Sequence, residues 1–165
     1  MKRFLDPTLA GTVTLLVCAD WLSKLWISGQ MALGESRSLV SGWLYLVHRE
    51  NPGVAFSLFA DLPSAIRTPV LGLISLVGVV LFARIVRDSS DGVVRLAAAA
   101  VIGGAIGNLG DRLLNGHVTD FVLISFFPFV FNLADAAITI GGLLLAARMI
   151  FSETAIEPLP AVDPE

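Results

Sequence analysis

The chain has 165 residues, 55% of them hydrophobic and 15% charged, with a mean hydropathy of +0.80 and a formal charge of −3. A soluble domain carries about 25% charged residues, so this is more apolar surface than one small core hides, and the composition points to a membrane protein. The acidic balance comes from the tail, where Glu153, Glu157, Asp163 and Glu165 stand without a Lys or Arg; without it 11 basic residues face 10 acidic ones, which leaves no basic patch suited to nucleic acid.

A bilayer-crossing helix needs about 20 residues. Four stretches meet that length, at about 9–27, 67–86, 94–114 and 129–150. The first follows Lys2 and Arg3, as the apolar core of a signal peptide would. No small-x-small cleavage site follows it, and apolar residues continue through Trp21, Leu22, Leu25, Trp26 and Ile27, so it is read as an uncleaved span. Cys18 is the one cysteine, which excludes an intrachain disulfide; it is read as a small packing residue. Residues 28–66 follow, rich in β-formers, with turn signals at Ser41-Gly42 and Asn51-Pro52-Gly53. They predict a small strand-bearing cap on the membrane surface. Between spans three and four, 115–128 is short and aromatic and ends at Pro128, which predicts an interfacial connection. Residues 152–165 predict a disordered cytoplasmic tail. The whole is one membrane domain over 1–151.

Four spans put both termini on one side. Lys2, Arg3, Arg84, Arg87, Arg95 and Arg148 gather there. On the other side only Arg37 and Arg49 lie in loops proper, since Lys24, Arg67 and Arg112 fall within spans or at their ends. The positive-inside rule then predicts cytoplasmic termini and a cap outside.

Several polar residues interrupt the apolar spans. Asp20 and Lys24 stand at i, i+4, the spacing of a helical ion pair. In span three Asn108 shares a face with Asp111 and Arg112, and Gly103 and Gly107 form a small-xxx-small pair that allows close helix contact. In span four Asn132, Asp135 and Thr139 share a face, with Leu133, Ala137 and Ile140 opposite; Ala137 and Gly141 form a second small pair. Asp135 lies six steps past Phe129, about 9 Å into a helix that begins there. Asp120 stands just before that span. All these groups sit at the outer ends of their spans, where a charge costs less than the roughly 2.5–3.5 kcal/mol of mid-bilayer. Such a cluster is a structural network, a catalytic pair of acids, or a proton or ion path. His117 and His48 are too far apart in sequence for a convincing zinc site, so no metal is expected. No serine stands in a G-x-S-x-G setting, which makes water the expected nucleophile of any hydrolysis.

The segments "DWLSK" (20–24), "NPGVAFSLF" (51–59), "GGAIGNLGDRLLNGHVTDF" (103–121) and "FNLADAAITIGG" (131–142) together resemble the bacterial lipoprotein signal peptidases, or signal peptidase II. The resemblance runs in order through all four spans. It implies a membrane all-α fold, with four transmembrane helices and a small β-containing extracytoplasmic cap. It also implies an intramembrane aspartic endopeptidase that removes the signal peptide from a diacylglyceryl-modified prolipoprotein, cutting before the lipidated cysteine. The catalytic pair maps onto Asp120 and Asp135. Supporting residues map onto Asp20, Lys24, Asn51, Gly53, Asn108, Asp111, Arg112 and Asn132. Pro52 stands within the family's N-x-G motif and stiffens that turn.

Further expectations follow from the resemblance. They are no cofactor, lipid-modified prolipoprotein and membrane lipid as partners, inhibition by globomycin-type lipopeptides, a monomer, and the bacterial cytoplasmic membrane with the site at its outer face. The chemistry suits the residues. Two close carboxylates share one proton, so one can activate water while the other polarises the scissile carbonyl. Asp20 and Asp111 are assigned to structure, paired with Lys24 and Arg112. "LLVC" (15–18) hints at a lipoprotein cleavage signal, but Val17 is branched where such precursors carry small residues, so the chain reads as the peptidase and not its substrate. A proton-coupled transporter is the rival from another class, and it lacks an acid chain through the inner halves of the spans.

Overall fold

The computed structural model describes residues 6–53 and 63–152. Lys2 and Arg3, residues 54–62 of the cap and the tail from 153 onward therefore lie outside the described residues.

Helix α1 runs Pro7–Gln30, and its start is encoded locally. Asp6 caps it by accepting a hydrogen bond from Thr8 N, and Pro7 brings a fixed φ and no N–H to the first turn. Helix α2 spans Ser64–Asp88. Helix α3 spans Gly92–Asn115, capped by Asp91 on Val93 N and Val94 N, and it ends where Gly116 turns left-handed at φ 76°. Helix α4 spans Leu133–Ser152. All four are long and apolar enough to cross a membrane.

Helix α3 is the centre of the bundle and packs against α1, α2 and α4. Glycines set how closely it does so. A Cβ on Gly103 would meet Leu16 Cβ of α1 at 3.0 Å, and one on Gly104 would meet the Ala134 carbonyl oxygen of α4 at 2.4 Å. Lower down, a Cβ on Gly141 would meet the Ala97 carbonyl at 2.6 Å, beside the apolar cluster of Val86, Ala97, Ala98, Val101 and Leu145. The expected small-residue contacts are therefore present. Gly104 joins them, and Ala137 is buried, as its pairing with Gly141 implies and not as its place opposite the polar face implies. Large apolar side chains such as Leu15, Leu73, Leu81 and Leu143 point out of the bundle, as lipid-facing residues do. Cys18 also faces outward, which corrects its reading as a packing residue.

At one end of the bundle lies a four-stranded antiparallel sheet in the order β1-β2-β3-β4, formed by Ser36–Val40, Leu44–Asn51, Val118–Ile124 and Val130–Phe131. The Ser41-Gly42 turn joins β1 to β2, with Gly42 at φ 74°. The sheet packs on the end of α1 through Phe121, Ile27 and Met31. The structure differs from the sequence expectation between α3 and α4. The stretch read as an interfacial connection contains β3, and the first residues assigned to span four contain β4. The reason is visible in "VTDFVLI": β-branched and aromatic residues begin two positions after the left-handed glycine, and β2 supplies a partner strand far away in sequence.

Candidate active site

Four elements deliver the polar cluster. Asp20 and Lys24 come from α1, Asn108, Asp111 and Arg112 from the last turns of α3, Asp120 from β3, and Asn132 with Asp135 from the start of α4. Asn51 and Gly53 reach it from the end of β2. All ten residues singled out in the sequence converge on one end of the bundle.

Asp135 is not 9 Å into a helix. Since α4 begins at Leu133, Asp135 stands in the first turn. There it completes a reciprocal cap: Asn132 Oδ1 accepts from Asp135 N at 2.9 Å, and Asp135 Oδ2 accepts from Asn132 N at 3.2 Å. The helix N-terminus favours the negative charge. Asp135 Oδ1 accepts a 2.7 Å bond from Asn108 Nδ2.

Asp120 is buried, and both of its oxygens are held by amides. Oδ1 accepts from Asn132 Nδ2 at 2.7 Å and Oδ2 from Asn51 Nδ2 at 2.9 Å. Asn51 is fixed in turn, because its Oδ1 accepts from Gly53 N at 3.0 Å across the Pro52 turn. Asn132 has 0% exposure and touches both acids. Burial, and then the nearby charge of Asp135, push the Asp120 carboxyl up to about 7, against the pull of the Asn51 and Asn132 hydrogen bonds. Burial is the larger cause, and the charge of Asp135 adds to it.

Beneath the acids lies a second layer. Lys24 Nζ donates to Asp20 Oδ2 at 2.6 Å and to Asn108 Oδ1 at 3.0 Å, and forms an ion pair with Asp111 Oδ2 at 3.0 Å. Lys24 thereby orients the amide that holds Asp135. The far oxygen of Asp20 accepts from Ala134 N at 2.9 Å, which ties α1 to the start of α4. Asp111 also receives Thr119 N at 3.3 Å. The expected pairing of Asp111 with Arg112 is not found. The two are adjacent on α3 and point apart, so Asp111 shares Lys24 with Asp20. Arg112 donates instead to the carbonyls of Asn108, at 3.2 Å, and Gly53, at 3.0 Å. Its buried Nε has no hydrogen-bond partner among the described residues.

Sequence reasoning missed the backbone of this site: the Ala134 and Thr119 amides, the Gly53 carbonyl, and the close approach at Gly104. Of these, only Gly104 left a readable signal, as a small residue three before Gly107 on the same helix. Away from the cluster, the opposite end of the bundle is tied by Asp6 to Arg95 and by Asp91 to Arg148. No acid stands between the two ends among the described residues of α1, α3 and α4.

A partly buried pair of acids with one raised pKa, both held by amide donors, matches the needs of aspartic proteolysis. The comparisons agree. The family model described as Signal peptidase (SPase) II matches residues 12–151. The chain belongs to this family. A lipoprotein signal peptidase of Syntrophomonas wolfei is 37% identical over 135 residues, covering 82% of this chain and 87% of that protein. Those of Ectopseudomonas mendocina and Pseudomonas syringae pv. tomato are 37% and 36% identical over 155 and 166 residues, covering 89% and 90% of this chain and 89% and 94% of theirs. A bacterial membrane enzyme solved by the in meso method at 2.3 Å has the same fold, with a TM-score of 0.83 and 23% identity over 98% of both chains. Signal peptidase II is a protease of the aspartic class that processes prolipoprotein signal peptides, and the chain is a multi-pass membrane protein.

Proposed function

We propose that this chain cuts diacylglyceryl-modified prolipoproteins immediately before the lipidated cysteine, with Asp120 and Asp135 as the catalytic pair. The observation that carries the reading is the junction at buried Asn132, whose side-chain amide holds Asp120 and whose backbone N–H holds Asp135, beside an Asp120 whose carboxyl is pushed up to about 7. At neutral pH such a pair keeps one proton between its members. Water held between them gives a proton to the ionised carboxylate as it attacks the scissile carbonyl. The protonated partner donates to the carbonyl oxygen. Collapse of the tetrahedral intermediate breaks the C–N bond, and the pair returns a proton to the departing amino group of the cysteine. Asn51, Asn108 and Asn132 hold the carboxylates, Arg112 offers its guanidinium to the substrate backbone, and Asp20, Lys24, Asp111 and Gly53 set their positions. None of these steps calls on a metal or cofactor.

The enzyme works as a monomer in the bacterial cytoplasmic membrane, with both termini in the cytoplasm and the sheet outside. Residues 1–151 form the peptidase domain, and 152–165 a cytoplasmic tail. Acyl chains of the substrate lie among membrane lipid against the bundle, and each buried CH₂ contributes about 0.8 kcal/mol, so the lipid is the main positioning element. A globomycin-type lipopeptide competes for the same place. The test is processing of a lipid-modified precursor by the purified protein in detergent. Release of the signal peptide with the lipid left on the new N-terminal cysteine is expected. Equal turnover of the unlipidated precursor, or no cleavage of either, overturns the proposal.

A further inference from the structure

We infer that Arg49 is a substrate-reading residue of this site, one that favours precursors with an acidic side chain in the first few positions after the lipidated cysteine. The inference rests on the proposed peptidase function and starts from strand register. Strand β2 pairs with β3 as Leu44↔Ile124, Tyr45↔Leu123 and Leu46↔Val122, and then as Arg49↔Asp120, Glu50↔Thr119 and Asn51↔Val118. Val47 and His48, both buried, together oppose Phe121, so β2 carries one extra residue in a bulge. A one-residue shift moves every following side chain to the other face of a sheet. The bulge therefore sets which residues of β2 look toward Asp120. Asn51 does so, since it donates to Asp120 Oδ2. Arg49 is two residues before Asn51 and directly across from Asp120, and on both counts it projects from that same face.

Arg49 is exposed where Asp120 beneath it is buried, so it stands at the open mouth of the site. Its guanidinium has no carboxylate partner among the described residues, in contrast to Arg37, Arg87 and Arg148, which are paired to Glu35, Asp88 and Asp91. Glu50, its neighbour, turns to His117 on the other face. Directly opposed Cα atoms in an antiparallel pair lie about 4.5–5.5 Å apart. An arginine side chain rooted there covers the ground one to three residues from a peptide bond held at Asp120. The signal peptide is the apolar, membrane-embedded part of the precursor, and Arg49 sits on the extramembrane sheet. The part of the substrate that meets it is the part after the cysteine. A guanidinium in that position binds a carboxylate through paired N–H donors and repels a cation.

The experiment uses the full-length protein and three lipid-modified precursors that carry Asp, Asn or Lys at the second and third positions after the cleavage site. The wild type is expected to show the lowest KM for the Asp precursor. Arg49→Gln is expected to raise KM for that precursor about tenfold, the loss of one charge-assisted hydrogen bond, while kcat on it changes less than about twofold. Arg49→Glu is expected to invert the order, so that the Lys precursor becomes the best. Equal KM for the three precursors in the wild type overturns the inference and leaves the peptidase assignment standing. So does a fall in kcat on all three in Arg49→Gln, which marks a structural role. A wild type that cleaves none of the three sinks the assignment and the inference together.

Discussion

Gly104→Ala tests whether the geometry of the acid pair depends on the close approach of α3 and α4. The added methyl would sit 2.4 Å from the Ala134 carbonyl oxygen and 2.8 Å from Ile138 Cγ1. A carbon and a carbonyl oxygen rest at about 3.3 Å or more, so the start of α4 must move away from α3 by close to 0.9 Å. Asp135 is the next residue after Ala134 and moves with it. Its 2.7 Å bond from Asn108 would stretch beyond the hydrogen-bonding range, and the bond from Ala134 N to Asp20 would be strained at the same time. Overpacking of this kind costs about 1–3 kcal/mol of stability, and an ångström of misplacement at a catalytic group costs on the order of 10²-fold in rate. Gly142→Ala, on α4, is the control, because a Cβ there meets nothing within 4 Å. The assay is single-turnover cleavage of a lipid-modified precursor, normalised to folded protein, together with thermal unfolding in detergent. Wild-type turnover in Gly104→Ala would refute the claim that this contact sets the position of Asp135.

Asp120→Asn and Asp135→Asn should each nearly abolish cleavage without loss of expression, and the double variant should be little worse than either, because residues acting as one unit are not additive; appreciable cleavage by either single variant refutes the pairing. The pH profile of kcat/KM should fall on its alkaline side from about pH 7, roughly tenfold per unit, as the shared proton leaves and both carboxyls ionise. The same raised pKa means that ionising Asp120 works against folding as pH rises from 3.8 toward about 7, so the melting temperature of Asp120→Asn should gain on the wild type between pH 5 and 8. Lys24→Met should cost about 3–5 kcal/mol by leaving Asp20 and Asp111 buried without their cation. Thermal unfolding reads that cost directly, and a melting point equal to wild type would refute the dependence of the two acids on Lys24.

The four helices were legible because lipid imposes a length and a composition that a single sequence displays. Their ends moved by only a few residues, except at α4. There the run "FFPFVFN" is as apolar as a span, and nothing local distinguishes strand from helix in a short apolar stretch. What settles it is the pairing of β3 with β4 and β2, and β2 lies some seventy residues earlier. The same non-local cause hid the pairing of Asp111. The sequence offers both Arg112 and Lys24 as cations near the outer ends of the spans, and only the approach of α1 to α3 at Gly103 and Gly107 brings Lys24 to it.

The polar side chains that converge here were nonetheless named from the sequence, and the structure suggests why. A buried polar side chain in an apolar helix is costly wherever it falls, so each one present signals a partner, and the partners are polar residues with the same visibility. Asp20, Lys24, Asn108, Asp111, Asn132 and Asp135 announce each other in this way. The contributions of the backbone carry no such mark. The Ala134 amide on Asp20, the Thr119 amide on Asp111 and the Gly53 carbonyl on Arg112 come from residues whose side chains reveal nothing about their role. Those three bonds link α1 to α4, α3 to β3, and α3 to the end of β2. The polar side chains define which groups can react, and the backbone bonds define how the sheet is set against the bundle. Asp120 depends on both, since it is a strand residue whose partner acid is on a helix. In the proposed mechanism its reactivity therefore belongs to the junction between sheet and bundle, and substitutions there should alter turnover more than equally conservative changes deeper in the helices.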